Sequence, residues 1–197
     1  MTESDSDSAP PMPPEIAALR DGGGPVWIFA YGSLLWDPES RHAAAEPALL
    51  YGYHRSFCLY SYDYRGTAAN PGLTLGLDRG GSCRGAALQL PIDALDRVWR
   101  REMSGRVVYA ARLLRVQTAD GTRQTLAFTA LRSCPDYAGR LSLDEAARMI
   151  LGAAGRRGPC RDYFENTLQH LEQLGFADRP LRRLAERVQA LAAHARV

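Results

Sequence analysis

Apolar and polar positions divide this chain into a front part of short segments with strand character and a last part with helical spacing. Val26 to Ala30 is a continuous apolar run, opened by Asp21-Gly22-Gly23-Gly24-Pro25 and closed by Tyr31-Gly32-Ser33, and it reads as a buried strand. Further strands are expected near 49–60, 73–78, 83–90, 107–118 and 124–131, where β-branched, aromatic and alternating apolar residues concentrate. Asp120-Gly121 between the last two is a hairpin signal. Helical periodicity appears over 92–104 after Pro91, with Asp93 as a candidate N-cap. Ser142-Leu143-Asp144-Glu145 has the capping-box pattern and opens another helix, and 161–174 and 179–194 read as two more. A short helix is also expected over Glu15 to Arg20. Strands first and most helices last predict an α+β domain, a sheet or barrel covered by helices, rather than an alternating doubly wound fold.

The chain has 197 residues, room for one domain with a sizeable core. Residues 1–24 read as a disordered or flexible tail, its first part polar and proline-rich, and 25–197 as a single domain ending in helices. Its 24 basic and 22 acidic residues leave a net charge of +2, too little for the broad field that nucleic-acid binding uses. Every basic residue is arginine, which excludes Schiff-base, pyridoxal-phosphate and phosphate-loop lysine chemistry. The cysteines at 58, 83, 134 and 160 lie too far apart for short zinc-ligand pairs and read as free thiols of a reducing compartment. With neither a signal core nor an apolar run of membrane-spanning length, a soluble, cytoplasmic protein with no membrane partner is expected.

Glu102 is the most informative residue. Ile92, Leu95, Trp99 and Glu102 fall at i, i+3, i+7 and i+10, so a carboxylate shares the face of a helix with core residues. Burying a lone carboxylate is costly, which leaves two readings: a structural ion pair with Arg101, Arg106 or a distant arginine at a helix end, or a tuned general acid/base. Tyr31-Gly32-Ser33-Leu34 follows a buried strand, where a glycine and a small hydroxyl form a tight turn whose N–H groups face a bound oxygen. Ser33 as a nucleophile is the weaker alternative: there is no G-x-S-x-G, and only His42, His54, His170 and His194 offer an imidazole to activate it. Arg65, in the loop Asp63-Tyr64-Arg65-Gly66-Thr67 closed by Asn70-Pro71-Gly72, either grips a carboxylate through its planar fork or is an ordinary loop arginine. Gly80-Gly81 and Gly85 read as turn glycines, not a dinucleotide fingerprint. The stripe Leu181, Leu184, Val188, Leu191 reads as helix packing.

Taken together and in order, Val26 to Trp36, Arg65-Gly66-Thr67 with Pro71-Gly72, Trp99-Arg100-Arg101-Glu102-Met103 and Gly158-Pro159-Cys160-Arg161-Asp162-Tyr163 resemble the ChaC branch of the γ-glutamylcyclotransferase family. The resemblance runs from about residue 26 to residue 175. It implies a mixed β-barrel flanked by helices, no metal or organic cofactor, and glutathione as a small-molecule substrate cleaved to 5-oxoproline and Cys-Gly. It assigns Glu102 as the catalytic carboxylate and the turn Tyr31, Gly32, Ser33, Leu34 as the holder of the γ-glutamyl group. Arg65 and Tyr163 are assigned to substrate binding on the same ground. Two departures are Ala68, where many relatives have proline after Arg-Gly-Thr, and Tyr62-Asp63-Tyr64 before the arginine; both bear on loop stiffness. Two other readings stay open: a cyclotransferase for other γ-glutamyl amino acids or amines, and a non-catalytic protein that uses the pocket to sense a metabolite.

Overall fold

A computed structural model of the protein describes residues 8–38 and 41–194. Residues 1–7 of the expected tail lie outside the described residues. Five strands close into a barrel in the order β1-β3-β2-β4-β5, with β1 at Val26–Ala30, β2 at Ala44–Ser61, β3 at Gly72–Leu90, β4 at Tyr109–Thr118 and β5 at Gly121–Ala130. Among the described residues five helices accompany it: α1 Pro14–Asp21, α2 Leu95–Met103, α3 Leu143–Gly152, α4 Cys160–Gln173 and α5 Arg179–His194. A small hairpin, β6 Ala154–Gly155 with β7 Gly158–Pro159, precedes α4. This is the expected α+β barrel with helices. Among the described residues no helix is long and apolar enough to cross a membrane.

The barrel is mixed because β1 runs antiparallel to β3, pairing Val26 with Leu90 through Ala30 with Ala86, and parallel to β5 at Ile28 and Leu126. β1 is short and apolar because neighbours take it on both edges: four of its five residues are buried. β4 and β5 form the expected hairpin in register from Tyr109–Ala130 to Thr118–Gly121, turning at Ala119-Asp120 with Gly121 at φ 116°. The strands expected at 73–78 and 83–90 are a single strand. Gly80 and Gly81, read from sequence as turn glycines, have φ of 103° and 69° and bend β3 without ending it, a conformation that costs residues with a Cβ far more. Gly85 is not a turn glycine either: a Cβ there would lie 2.3 Å from the Ala30 carbonyl oxygen and 2.9 Å from the Phe29 ring, so its role is to let β3 approach β1.

Two compact units make up the chain. The first comprises the residues to His54 with Arg79–Leu131, and the second Arg55–Asp78 with the residues from Arg132 on. In the first unit Ile28, Phe29, Leu88, Leu90, Leu95, Val98, Leu126 and Phe128 are each at most 3 % exposed and form its core. α1, close to the helix expected at Glu15 to Arg20, buries Ile16 completely and joins Arg20 to Asp96 of α2 by an ion pair. A 3₁₀ turn at Ile92–Ala94 opens into α2. Asp93 does not cap it: Pro91 holds the N-cap position, and the Asp93 carboxylate pairs instead with Arg97 one turn on at 3.4 Å, because a 3₁₀ start puts Asp93 inside the helix.

In the second unit the capping box forms as the sequence predicts. Ser142 Oγ accepts from the Glu145 amide at 3.2 Å, and Glu145 Oε2 accepts from the Ser142 amide at 2.9 Å. Ile150 of α3, Phe164 and Leu171 of α4, and Leu181, Leu184 and Val188 of α5 are buried, so the α5 stripe is packing over these three positions, with Leu191 half-buried at its end. Arg187 of α5 grips Asp144 of α3 through two nitrogens at 2.6 and 2.8 Å.

Candidate active site

The sequence-predicted residues fall into two groups, one in each unit. In the first unit β1 delivers Tyr31 at its end, and the Tyr31 hydroxyl donates to the Phe128 carbonyl of β5 at 2.8 Å, which anchors the start of the turn. Gly32 leads a 3₁₀ turn over Ser33–Leu35. The Gly32 carbonyl takes the Leu35 amide at 2.9 Å, and the Ser33 carbonyl takes those of Trp36 and Asp37 at 3.1 and 2.8 Å. Each of these bonds uses a carbonyl near the head of the turn and an amide nearer its end. The amides of Ser33 and Leu34 therefore stand where a helical start leaves donors without carbonyl partners in the turn. Leu34 is buried beneath them.

Glu102 lies in the last turn of α2, one residue before Met103 ends the helix. Of the face read from the sequence, Leu95 and Trp99 are buried, Ile92 is half-buried, and Glu102 lies at the edge with its side chain 14 % exposed; Val98 and Met103 are buried beside them. Trp99 fixes the helix by a tilted ring contact at 6.3 Å with Phe128, the residue whose carbonyl holds Tyr31, and by donating Nε1–H to the Pro10 carbonyl at 2.7 Å. Two arginines, Arg100 and Arg101, occupy the last turn, where cations meet the negative end of the helix dipole. Arg101 bends toward its neighbour, Nε to Glu102 Oε1 at 3.3 Å. The same guanidinium donates Nη1–H to the Asp37 carbonyl at 2.5 Å and lies 3.1 Å from the Asp37 carboxylate. One side chain thus touches both the carboxylate of interest and the residue that closes the Tyr31–Leu34 turn. Asp37 carried no signal in the sequence, being separated by 64 residues from its partner; Arg101 was visible only as one of several candidate ion-pair partners.

In the second unit Arg65 and Tyr163 come together, the guanidinium carbon 5.1 Å from the ring centre. The loop that carries Arg65 is drawn tight by two glycines: a Cβ on Gly66 would lie 2.1 Å from the Gly72 amide nitrogen, and one on Gly72 2.1 Å from the Arg65 carbonyl oxygen. Ser61 Oγ accepts from the Arg65 amide at 3.0 Å, and Asn70 Nδ2 donates to the Gly152 carbonyl at 2.7 Å. The hairpin β6–β7 lies along the loop, the Arg156 and Arg157 amides donating to the carbonyls of Asp63 and Tyr64 at 2.9 and 3.0 Å. Arg65 Nη1 donates to the Arg157 carbonyl at 2.5 Å and reaches the Pro159 carbonyl at 3.5 Å. Among the described residues the fork meets neutral carbonyls and an aromatic face, which hold it in place, and no carboxylate pairs with it. Tyr163 is steadied by an edge contact with Phe57 at 5.8 Å, and Phe57 by Phe164 at 5.0 Å. Cys160, between these groups, accepts from the Leu73 amide at 3.3 Å and donates to its carbonyl at 3.2 Å, and burial raises its thiol above the usual range.

The four cysteines are free, and among the described residues no group of three or more histidine, cysteine, aspartate or glutamate side chains is arranged to hold a metal. One ring nitrogen of His54, His170 and His194 lies at a backbone carbonyl, of Gly80, Asn166 and Ala190 respectively. These three engagements give no support to the reading of Ser33 as a nucleophile with an imidazole base.

Residues 26–191 match the family described as ChaC-like protein. The chain belongs to that family. Among relatives of this ChaC-like protein, the glutathione-specific gamma-glutamylcyclotransferase of Escherichia coli is 35% identical over 182 residues, covering 89% of this chain and 78% of that one. Gamma-glutamylcyclotransferase 2-3 of Arabidopsis thaliana is 31% identical over 83% of this chain and 88% of its own. The fold matches the crystal structure of the yeast gamma-glutamylcyclotransferase specific to glutathione with a TM-score of 0.76 at 20% identity, covering 85% of this chain and 99% of that one. The ChaC-like region spans both units and all four motifs, from the strand before Tyr31 to the helix that bears Tyr163.

Proposed function

We propose that this protein is a glutathione-specific γ-glutamylcyclotransferase that releases 5-oxoproline and Cys-Gly, with Glu102 as its general acid/base. The observation that supports the chemistry is the guanidinium of Arg101, which touches both Glu102 and Asp37, the residue at the end of the Tyr31–Leu34 turn. The substrate class comes from the relatives that share the family and cover most of the chain.

The reaction needs no enzyme nucleophile. The α-amine of the glutamyl group attacks its own γ-carbonyl carbon, the new C–N bond closes a five-membered ring, and the bond to the cysteinyl nitrogen breaks. Holding the two ends of one molecule in attacking geometry supplies much of the rate, since well-oriented intramolecular steps reach effective molarities of about 10⁵ to 10⁸ M. Glu102 takes the proton that the attacking nitrogen must lose and returns it to the departing cysteinyl nitrogen, so one carboxylate serves both halves of the transfer. The amides of Ser33 and Leu34 serve the oxygen of the γ-carbonyl as charge builds on it, a kind of donor worth about 2.7 to 4 kcal/mol where one has been removed from a hydrolase. Arg65, with its fork held by carbonyls and by the Tyr163 face, serves a substrate carboxylate.

The reading carries with it a cytoplasmic enzyme of a single domain over residues 25–197, with glutathione as its partner and with neither nucleic acid nor a membrane. It also carries the expectation that turnover is unaffected by chelators. The test incubates purified protein with reduced glutathione and measures 5-oxoproline and Cys-Gly by mass spectrometry, with a γ-glutamyl amino acid and a γ-glutamylamine in parallel. Glutathione should be the preferred substrate by kcat/KM. Equal or better turnover of the other two would defeat the specificity, and no 5-oxoproline from any of them would defeat the activity.

A further inference from the structure

We propose that Arg101 is a positioning residue for this reaction, a clamp that sets the Glu102 carboxylate at a fixed place relative to the Tyr31–Leu34 turn; the inference rests on the functional reading above and adds to it. Adjacent residues on a helix point in different directions, so Arg101 and Glu102 have no helical reason to meet. They meet because Arg101 folds back: its Nε is 3.3 Å from Glu102 Oε1 while its Nη1 donates to the Asp37 carbonyl at 2.5 Å. Asp37 in turn donates its amide to the Ser33 carbonyl at 2.8 Å. Ser33, Asp37, Arg101 and Glu102 therefore form one chain of contacts from the turn to the carboxylate.

Arginine suits this task and lysine does not. The guanidinium presents several donors in one rigid plane, so Nε and Nη1 can hold two acceptors at a set separation, whereas an ammonium is a single point on a flexible stem. Arg101 cannot lose its proton near neutral pH, so it takes no part in proton transfer and its role is geometric. Its side chain is 21 % exposed and that of Glu102 14 %, so the pair is shielded from solvent far more than ordinary surface pairs. The Asp37 carboxylate is 67 % exposed, which leaves the carbonyl as the firmer of the two Asp37 contacts. Arg100, the neighbouring arginine in the same turn, is exposed and serves as a control of equal charge.

The experiment compares full-length Arg101→Gln, Arg101→Lys, Arg101→Ala and Arg100→Gln with wild type. A displacement of about 1 Å in a catalytic group can cost ~100-fold, so kcat should fall ~10- to 100-fold in Arg101→Gln with KM moving less than ~3-fold. Arg101→Lys should recover little of it, guanidinium ion should restore part of the rate of Arg101→Ala, and Arg100→Gln should stay within about 2-fold of wild type. A second readout needs no substrate: hydrogen exchange at the Trp36 and Asp37 amides, both bonded to the Ser33 carbonyl, should quicken in Arg101→Gln and not in Arg100→Gln. Unchanged exchange with unchanged kcat would overturn the clamp. So would a raised KM with kcat retained, which would make Arg101 a substrate-binding group, or a lower Tm with full turnover per folded molecule, which would make it merely structural. If wild type shows no cyclotransferase activity the functional reading fails, and the exchange measurement alone decides whether Arg101 holds the turn.

Discussion

Replacing Glu102 by glutamine separates chemistry from packing at this site. The amide keeps the volume and the hydrogen-bonding capacity of the side chain but neither accepts the proton from the attacking nitrogen nor returns one to the leaving nitrogen. General acid/base catalysis is typically worth about 10² to 10⁴ in rate, so kcat should fall by at least ~100-fold, about 2.7 kcal/mol or more in activation free energy. The stability cost follows from what Arg101 keeps. Breaking a buried pair costs about 3 to 5 kcal/mol when it strands the other charge, but Arg101 retains the Asp37 carbonyl at 2.5 Å and the Asp37 carboxylate at 3.1 Å. With its charge still answered, the loss should stay near 1 kcal/mol or below, a Tm shift of about 2 to 4 °C for a chain of this size. The assays are release of 5-oxoproline, calorimetric titration of the variant with glutathione, and thermal unfolding. Expected are a rate near background, a Kd within a few-fold of the wild-type KM, and a nearly unchanged melting curve. A stable variant with near wild-type turnover would remove Glu102 from the mechanism. A drop in Tm beyond about 10 °C with turnover preserved per folded molecule would make it a structural ion-pair partner.

Arg65→Lys keeps the charge but loses the fork that reaches the Arg157 and Pro159 carbonyls and lies over Tyr163, so KM for glutathione should rise by ~10-fold or more; unchanged kinetics would return Arg65 to the status of a loop residue. Cys58, Cys83 and Cys160 are buried and Cys134 is half-buried, so at pH 8 a thiol reagent should modify native protein at Cys134 and all four positions only after unfolding; labelling of native Cys58 would contradict the burial. Burial first, and the Asp78 charge second, push the Cys58 thiol up to about 12. Because this folded value lies above the unfolded one, the neutral thiol's contribution to stability is whole below about 8.5 and is lost as pH rises toward the folded value, so Cys58→Ala should lessen the loss of Tm on the alkaline side. Glu145 shifts the opposite way: the Ser142 side chain, then the Ser142 amide, hold its carboxyl below the usual range. Its contribution is present above about 4.3 and lost as pH falls through the folded value, so the Tm gap between wild type and Glu145→Gln should close in acid; a constant gap would refute the charge as its source.

Local chemistry made much of the architecture legible. The apolar run Val26–Ala30 is a strand, the Ser142 to Glu145 box caps α3, and α5 occupies its expected range with Leu181, Leu184 and Val188 inward. Each rests on interactions within a few residues: a periodicity, a cap, a turn. That Glu102 shares a helix face with core residues was legible for the same reason, while its place at the edge of that face was not. Boundaries set by distant neighbours were not. Gly80-Gly81 has the composition of a turn, and only the strands paired alongside β3 carry it through as a bend; Gly85 looks like any loop glycine until β1 is laid 2.3 Å from where its Cβ would be. The contacts that shape the candidate site are of the same kind. Arg101 finds the Asp37 carbonyl across 64 residues, and Arg65 finds the Arg157 carbonyl across 92. A backbone carbonyl has the same chemistry at every position, so no residue type in the sequence marks which one an arginine will meet, and only the tertiary path of the chain decides it.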